Sequence, residues 1–273
     1  MSLPTIDIAV AVVGEKGMNL FAGNIPDPIA GIGYVVSWQK PSASVPKSLR
    51  NRTDVRIFTT LTTGLSVNRN NALNYCTADI IMPTDEDIIY RPTALRQLRE
   101  IFGTDPSLDY VVFRYDGADS QAYPDNEITI TGREPRGVAV TAFSLACRRS
   151  SLLKIHATFD TRFGIGAPRY VLGEDDLFFE TLKRLGLKGR FIPLTVCTHP
   201  GKSTGFRQLS DPRLTLTHGV AIGLIYPLTA PLRVVLKATR LSRAGQAPFM
   251  TALWWLTRGW LESLTIRPPW KTR

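Results

Sequence analysis

The stretch ADIIMPTDED (residues 78–87) decides the fold, because it joins a short apolar run to a cluster of acids. The apolar run predicts a buried strand, which we expect Pro83 to end. Directly after it come Asp85, Glu86 and Asp87. Neighbouring carboxylates repel one another unless a cation offsets their charge, and Mg²⁺ or Mn²⁺ prefers such oxygen ligands. The cluster therefore indicates either a metal that bridges carboxylate and diphosphate, or a solvated turn whose acids stabilise the next helix N-terminus.

Similar strand-like runs lie on both sides of this stretch and alternate with helical patterns. Strands are predicted at 6–13, 33–39, 55–60, 109–116, 137–149 and 190–200. Helices are predicted from Ser66 through Cys76, from Pro92 to just before Gly103, and from Glu174 to Gly186. A polar segment rich in Gly and Pro, 117–137, is expected to be a long functional loop. The alternation predicts an α/β domain with a mainly parallel sheet, whose ligands bind beyond the carboxyl ends of the strands.

The composition is that of a globular protein of 273 residues, with 44% hydrophobic and 21% charged residues. Cys76, Cys147 and Cys197 are too few and too far apart to indicate a disulfide framework or a zinc cluster. The first residues show no basic segment followed by a long apolar one, so we expect no secretory signal and a cytoplasmic location.

A second group of acids, Glu174, Asp175 and Asp176, opens a predicted helix after the glycine-rich segment FGIGAP. Acids in a first helical turn are stabilised by the helix dipole, which would be a purely structural role. A flexible approach can also place one carboxylate in a cleft, where it takes a proton from a hydroxyl nucleophile. The two interpretations are a helix-stabilising cluster and a general base.

The stretch THPGKSTG, residues 198–205, ends the last predicted strand. Its glycine, Lys202 and Ser203 match the end of a P-loop, but the leading glycine of that motif is replaced by Val196, so a P-loop is excluded. His199 in the same stretch is either structural or, facing an acidic strand end, a metal ligand.

Taken in chain order, GLSVNRNNAL, ADIIMPTDED, FDTRFGIGAPRYVLGEDDLFF and THPGKSTG resemble the family 2 glycosyltransferases with the type A fold. The resemblance covers residues 5–210. It is especially close to bacterial enzymes that build cell-surface polysaccharides such as capsule and lipopolysaccharide.

The resemblance implies a role for each matching residue. Asp85 and Glu86 would contact the donor sugar or ribose, and Arg69 would lie near the nucleotide. Asp87 and His199 would bind Mn²⁺ or Mg²⁺. Asp175 would be the general base, with Glu174 and Asp176 at the acceptor and Asp176 as the rival base. Lys202 and Ser203 would contact the donor diphosphate.

The sequence departs from the family where the second strand ends. Many relatives have paired aspartates there that bind the uracil ring, whereas this chain has Trp38 and Gln39. A glutamine amide both donates and accepts, so Gln39 is a candidate base contact. Glu15, after the first strand, is a further donor contact, and Asp54 is either a substitute base contact or a turn acid.

These parts imply an inverting glycosyltransferase. A hexosyl group would pass from a nucleoside-diphosphate sugar, expected to be a UDP-sugar, to a hydroxyl of a saccharide or lipid-linked acceptor. The alternatives are a non-catalytic nucleotide-sugar-binding protein, a nucleotidyltransferase and a nucleic-acid-binding protein. A nucleic-acid-binding protein is expected to interleave basic and aromatic residues across a groove. Here the basic residues are concentrated in a Trp-rich C-terminal part, so nucleic acid is not expected as a partner.

The charge instead lies in the C-terminal part of the chain. Residues 219–273 hold eight Lys and Arg and a single acid, Glu262, and so account for +7 of the net +10. Arg233, Lys237 and Arg240 recur at helical spacing. A second helical stripe consists of Met250, Leu253, Trp254, Trp260, Leu261 and Leu264, widened by Trp255. We therefore predict a catalytic domain at 1–215 and a helical extension at 216–273, which either packs on the catalytic domain or lies on the cytoplasmic face of the inner membrane.

Overall fold

The computed structural model describes residues 2–42, 44–117, 120–132, 135, 137–201 and 211–271. By contacts the chain divides into two units. The first unit comprises residues 1–63, 67–158 and 182–202, and the second comprises 64–66, 159–181 and 203–273.

Nine strands of the described chain form one sheet in the first unit. They are β1 Ile6–Val13, β2 Ile32–Gln39, β3 Val55–Thr60, β4 Ile80–Asp85, β5 Ile89–Tyr90, β6 Tyr110–Gly117, β7 Ile128–Ile130, β8 Leu145–Arg148 and β9 Gly189–His199. Their order is β3-β2-β1-β4-β8-β6-β9-β5, and β7 pairs with β9. The neighbours from β3 to β4 are parallel, as are β6 and β9, whereas β5, β7 and β8 pair antiparallel. The prediction of an α/β fold with a mainly parallel sheet is confirmed.

Nine α-helices of the described chain complete the fold. They are α1 Gly14–Asn24, α2 Lys47–Arg50, α3 Leu65–Tyr75, α4 Pro92–Thr104, α5 Arg149–Lys154, α6 Glu174–Arg184, α7 Pro212–Ile225, α8 Ala230–Arg243 and α9 Phe249–Ser263. Short 3₁₀ turns lie at Ala142–Ser144 and Pro269–Lys271.

The core of the first unit follows the two-residue period of the strands. Ile6, Ile8, Val10 and Val12 of β1 are all buried in one cluster, because alternate strand residues face the same side of a sheet. The cluster includes Met18 of α1 and Leu95 of α4, so these helices cover that face.

The expectation that Pro83 ends the strand is wrong, because β4 continues to Asp85. The N–H of Ile80 donates to Thr5 O, beside β1, so by alternation position 83 faces the side of β8. On that side β8 pairs with β4 only at Ile80 and Ile81. Among the described residues, no ladder partner lies where Pro83 lacks its N–H, so the proline does not interrupt the strand.

Other boundaries also differ from those expected. Helix α4 continues through Gly103 instead of ending before it. A Cβ at that position would lie 3.1 Å from the Leu3 side chain, so the glycine leaves room for Leu3. The strand expected at 137–149 shortens to β8, after a 3₁₀ turn. The expected long loop contains β7, which adds to the edge of β9.

In the second unit, helices α7 and α9 approach closely through glycines. A Cβ on Gly219 would lie 2.2 Å from Leu256 O, and one on Gly259 would lie 2.0 Å from Leu216 O. A larger residue at either position would force the two backbones apart. Helix α8 packs on α9 through Val234, Ala238, Leu241, Ala252 and Leu256.

No helix of the described residues has the length and hydropathy needed to span a membrane. The domain division into 1–215 and 216–273 stays a prediction, and α7 begins just before that boundary.

Candidate functional site

Asp85 ends β4 and is paired with Arg69 of α3. Arg69 Nη2 donates to both carboxylate oxygens of Asp85 at 2.9 Å, and its Nε donates to one of them at 3.2 Å. The guanidinium is buried, with 2% of the side chain exposed, whereas Asp85 is 27% exposed. A buried guanidinium needs such a partner, and the two-point contact fixes the direction of the carboxylate.

Helix α3 is also fixed to the ends of neighbouring strands. Asn68 Nδ2 donates to Val12 O at 3.1 Å, and Asn71 Nδ2 donates to Ser37 Oγ at 2.8 Å. The segment that carries Arg69 is thus held at the carboxyl ends of β1 and β2, where ligands bind in open α/β sheets.

Asp87 and His199 lie together although 112 positions separate them. Asp87 Oδ2 is 3.4 Å from His199 Nε2. Hydrogen bonding by His199 holds the pKa of Asp87 below its usual value, against the opposing effect of burial. The predicted metal ligands are therefore adjacent, with the carboxylate kept ionised.

The position of His199 depends on Gly117, its partner where β6 meets β9. A Cβ on Gly117 would lie 2.1 Å from His199 O, so only glycine permits this approach. The register of the two strands shifts between Phe113 and Tyr115, which moves the end of β6 relative to β9.

Glu86 lies between the two other acids of the cluster in sequence but is directed at α1. A Cβ added to Gly17 of α1 would lie 2.9 Å from Glu86 Oε1. Burial, with the charges of Asp85 and Asp87, raises the pKa of Glu86 to about 7. A glutamate in this state is partly protonated at neutral pH and can donate a hydrogen bond.

The two candidate contacts for the nucleoside differ in accessibility. Gln39 is 2% exposed, and its Nε2 donates to Thr62 Oγ1 at 3.3 Å. Glu15 lies in the first turn of α1 and lines a cavity of about 240 Å³ together with Trp38, Lys47 and Arg50. Asp54 is paired with Arg52 at 2.6 Å, as expected of a turn acid.

Lys202 and Ser203, the predicted diphosphate contacts, lie outside the described residues. Among the described residues no group of three or more His, Cys, Asp or Glu side chains is placed to hold a metal ion.

In the second unit, the three acids occupy the first turn of α6, as the sequence predicts. Glu174 is buried, Asp175 is partly buried and Asp176 is exposed. The charge of Asp176 favours the protonated form of Lys237, whose pKa burial otherwise lowers. Asp176 is thus associated with a lysine of α8.

The carboxylate of Glu174 lies beside the glycine-rich segment. A Cβ on Gly164 would lie 3.4 Å from Glu174 Oε2 and 2.9 Å from Ser66 Oγ. Ser66 Oγ donates to Phe163 O at 2.6 Å, and Leu65 N donates to Ile165 O at 2.8 Å. These bonds hold the segment against the start of α3.

The residues that hold the other side of this segment were not predicted from the sequence. Arg169 Nε is 2.6 Å from Glu262 Oε1, and the Tyr170 hydroxyl donates to the same oxygen. Arg162 Nη2 donates to Arg267 O at 2.9 Å. The end of α9 therefore binds the approach to the α6 acids. The one available signal was that Glu262 is the single acid of residues 219–273.

Tyr170, which is bonded to Glu262, also contacts the start of the segment. Its ring stacks on that of Phe163, with 4.7 Å between the ring centroids. Phe163 also packs near Gly173, immediately before the α6 acids. The position of the α6 acids thus depends on contacts with α9.

Residues 42–155 match the model of glycosyl transferase family 2. The matched segment includes Arg69 and the cluster Asp85–Asp87. The resemblance of the sequence to the family 2 glycosyltransferases is confirmed by this match. No curated protein sequence matches the chain significantly.

The structure is similar to several solved structures. TarS 1–349 from S. aureus in complex with UDP-GlcNAc is 14% identical with a TM-score of 0.60, over 95% of this chain and 79% of that one. The mannosyltransferase PcManGT from Pyrobaculum calidifontis, in complex with GDP-Man and Mn²⁺, is 15% identical with a TM-score of 0.56. The match covers 97% of this chain and 88% of that one.

A longer TarS chain from S. aureus is 15% identical with a TM-score of 0.58. The match covers 88% of this chain and 43% of that one, so this chain spans less than half of its length. At these identities the similarity establishes the fold, which is the type A glycosyltransferase fold with additional C-terminal helices.

Proposed function

We propose that this protein is an inverting glycosyltransferase that moves a hexosyl group from a nucleoside-diphosphate sugar to a saccharide hydroxyl. The observation that carries the proposal is the strand-end cluster of Arg69, Asp85, Asp87 and His199, at the sheet edge where ligands bind in this class of fold. The match to the family model over the segment with Arg69, Asp85 and Asp87 supports it.

The donor is expected to bind at this edge of the sheet, with Arg69, Asp85 and Glu86 near the nucleotide and sugar. Glu15 and the cavity beside it are the better candidates for the nucleoside, because Gln39 is buried and bonded to Thr62. We retain a UDP-sugar as the first donor to test. TarS was solved with UDP-GlcNAc and PcManGT with GDP-Man, so both nucleotides belong in the test.

The side chains at the strand ends fit a divalent metal. Asp87 supplies an ionised carboxylate and His199 an imidazole. Asp87 Oδ2 and His199 Nε2 are 3.4 Å apart. Mg²⁺ is commonly bound by one or two protein ligands and completed by substrate phosphate and water, so a third protein ligand is not required. When bound, Mn²⁺ or Mg²⁺ would offset the charge on the departing diphosphate.

Asp175 is the proposed general base. It would accept the proton of the acceptor hydroxyl as the oxygen attacks the anomeric carbon and the nucleoside diphosphate leaves, which inverts the configuration. The resemblance to the family favours Asp175 over its rival Asp176, whose charge acts on Lys237. Glu174, buried beside Gly164, is proposed to hold acceptor hydroxyls.

The acceptor class is proposed from the basic C-terminal helices and from the resemblance to bacterial cell-surface polysaccharide enzymes. A saccharide carried on a lipid would be reached at the cytoplasmic face of the inner membrane. The enzyme would then be a cytoplasmic protein that binds this membrane peripherally.

A screen of UDP-, GDP- and dTDP-sugars with and without Mn²⁺ tests the proposal. We expect one donor to release its nucleoside diphosphate when metal is present, slowly to water and faster with an acceptor. The Asp87→Asn variant is the control, and it should reduce the release. Failure of every donor to bind or react would contradict the proposed function, while binding without release would favour a non-catalytic nucleotide-sugar-binding protein.

A further inference from the structure

The C-terminal helices concentrate the exposed large hydrophobic side chains of the protein. Of seventeen such side chains among the described residues, nine lie within residues 228–264, a segment of 37 residues. They are Leu228, Leu232, Val235, Leu236, Phe249, Met250, Trp254, Leu261 and Leu264. Single exposed apolar residues are normal in soluble proteins, but such a concentration marks an interaction surface.

Helix α8 divides into a buried and an exposed face. Ala230, Val234 and Ala238 are buried at helical spacing. Leu232 and Leu236 lie about 160° away around the helix, and they are 62% and 49% exposed. The apolar residues of α8 therefore serve two surfaces, one of which is the contact with α9.

Helix α9 is divided in the same way. Its buried residues include Ala252 and Leu256. Met250, Trp254 and Leu261 occupy the opposite face and are 71%, 65% and 53% exposed. The predicted Trp and Leu stripe is thus divided between two faces. Leu253 and Trp260 pack inward, against the buried apolar residues through which α8 contacts α9.

The charge around these faces is positive. Arg240 and Arg243 of α8 and Arg258 of α9 are exposed. The one acid of residues 219–273, Glu262, is 14% exposed and is held by Arg169. Within the described residues of 219–271, the exposed apolar residues are therefore flanked by arginines and by no exposed acid. From outside this segment, the charge of Asp176 acts on Lys237 of α8.

We propose that the exposed faces of α8 and α9 bind a lipid surface with anionic headgroups. The helices have 14 and 15 residues, so each would lie in the interface with its apolar residues among the acyl chains and its arginines at the headgroups. The inference rests on the proposed function, because a lipid-linked acceptor is reached at such a surface. It adds the residues that bind the lipid and the sign of its charge.

Vesicle sedimentation tests the inference with the full chain. We compare vesicles of phosphatidylcholine with vesicles that also contain phosphatidylglycerol, using the triple variant Leu232→Ser/Leu236→Ser/Trp254→Ser. The matched control is Leu61→Ser in the first unit, where the leucine is 89% exposed. We expect the chain to prefer the anionic vesicles and salt to weaken its binding, since exposed charges are screened.

The triple variant is expected to lose binding by more than about tenfold, because three apolar side chains that would leave water for the acyl chains are replaced by polar ones. Leu61→Ser should bind as the wild type does. Equal binding to neutral and anionic vesicles, or no binding to either, would overturn the inference. Self-association without vesicles that the triple variant abolishes would also overturn it, by assigning the surface to a second copy of the chain.

Donor hydrolysis in solution separates this inference from the proposed function. Hydrolysis without vesicle binding would overturn the lipid surface alone. Vesicle binding without reaction of any donor would overturn the proposed function and leave the lipid surface supported.

Discussion

The acids at the end of β4 and those at the start of α6 are held in place by different means. Asp85 and Asp87 lie at a strand end, and their partners Arg69 and His199 are set by strand register and by a helix bonded to neighbouring strands. The α6 acids follow a glycine-rich segment that is held by Ser66 on one side and by Glu262 on the other. The first group is fixed by the sheet, whereas the second depends on side-chain contacts from distant parts of the chain.

The largest expected effect of a substitution is at Asp175. Asp175→Asn removes the proposed base without changing its size, so turnover should fall by about 10³-fold while donor affinity stays near that of the wild type. Product formation and donor titration measure the two quantities. Asp176→Asn is the matched control, and near-normal turnover of Asp175→Asn would assign the base elsewhere.

The strand-end region should respond most in stability to Arg69→Met. The change removes the partner of Asp85 at a site where the arginine side chain is only 2% exposed. The free energy of unfolding should therefore fall by about 3 kcal/mol. Urea unfolding gives the value. Arg96→Met, at an exposed position of α4, should change it little. Equal effects of the two variants would show that the buried pair is not important for stability.

Glu262→Gln tests the dependence of the α6 acids on α9. The amide keeps the shape of the side chain but loses the ion pair with Arg169, so we expect a smaller effect, about a tenfold fall in kcat with donor affinity unchanged. Glu100→Gln on the exposed side of α4 is the control. If kcat is unaffected while the unfolding midpoint falls, Glu262 contributes to stability alone.

The smallest expected effect concerns pH and His218 of α7. Burial, with the charge of Lys237, lowers the pKa of His218 to about 3. The unfolded chain takes up this proton below about pH 6.5 and the folded chain does not, so stability should fall as the pH falls below that value. Because the surface of His218 is only partly buried, we expect the free energy of unfolding to fall by about 1 kcal/mol between pH 7.5 and pH 5.

The variant His218→Gln cannot take up this proton. Its loss of stability over the same pH interval should therefore be smaller than that of the wild type, as measured by urea unfolding at the two pH values. An identical loss in both proteins would assign the pH dependence to other groups.

The difference between the two regions also explains what could be predicted from the sequence. Periodicity and β-branched residues located β1, β3, β9 and the start of α6, because these features are local. The prediction at Pro83 failed because the tolerance for proline depends on where β8 stops pairing, which is not a local property. The adjacency of Asp87 and His199 was expected from the family resemblance and from two strands that end at the same edge.

The role of Glu262 could not be predicted, since 92 positions separate it from Tyr170 and nothing local indicates that they meet. The exposed stripe of α9 was predicted only as a periodic pattern. Which of its residues face outward follows from the packing of α9 against α7 and α8, with Gly219 and Gly259 at the closest approach.

The central claim is that the strand-end cluster binds a nucleoside-diphosphate sugar with a divalent metal, and calorimetric titration tests it most directly. With Mn²⁺ present, we predict that one of the UDP-, GDP- or dTDP-sugars binds, and that Asp87→Asn or removal of the metal weakens its affinity by about tenfold or more. Binding that is unchanged by both, or no binding of any of these sugars, would contradict the claim.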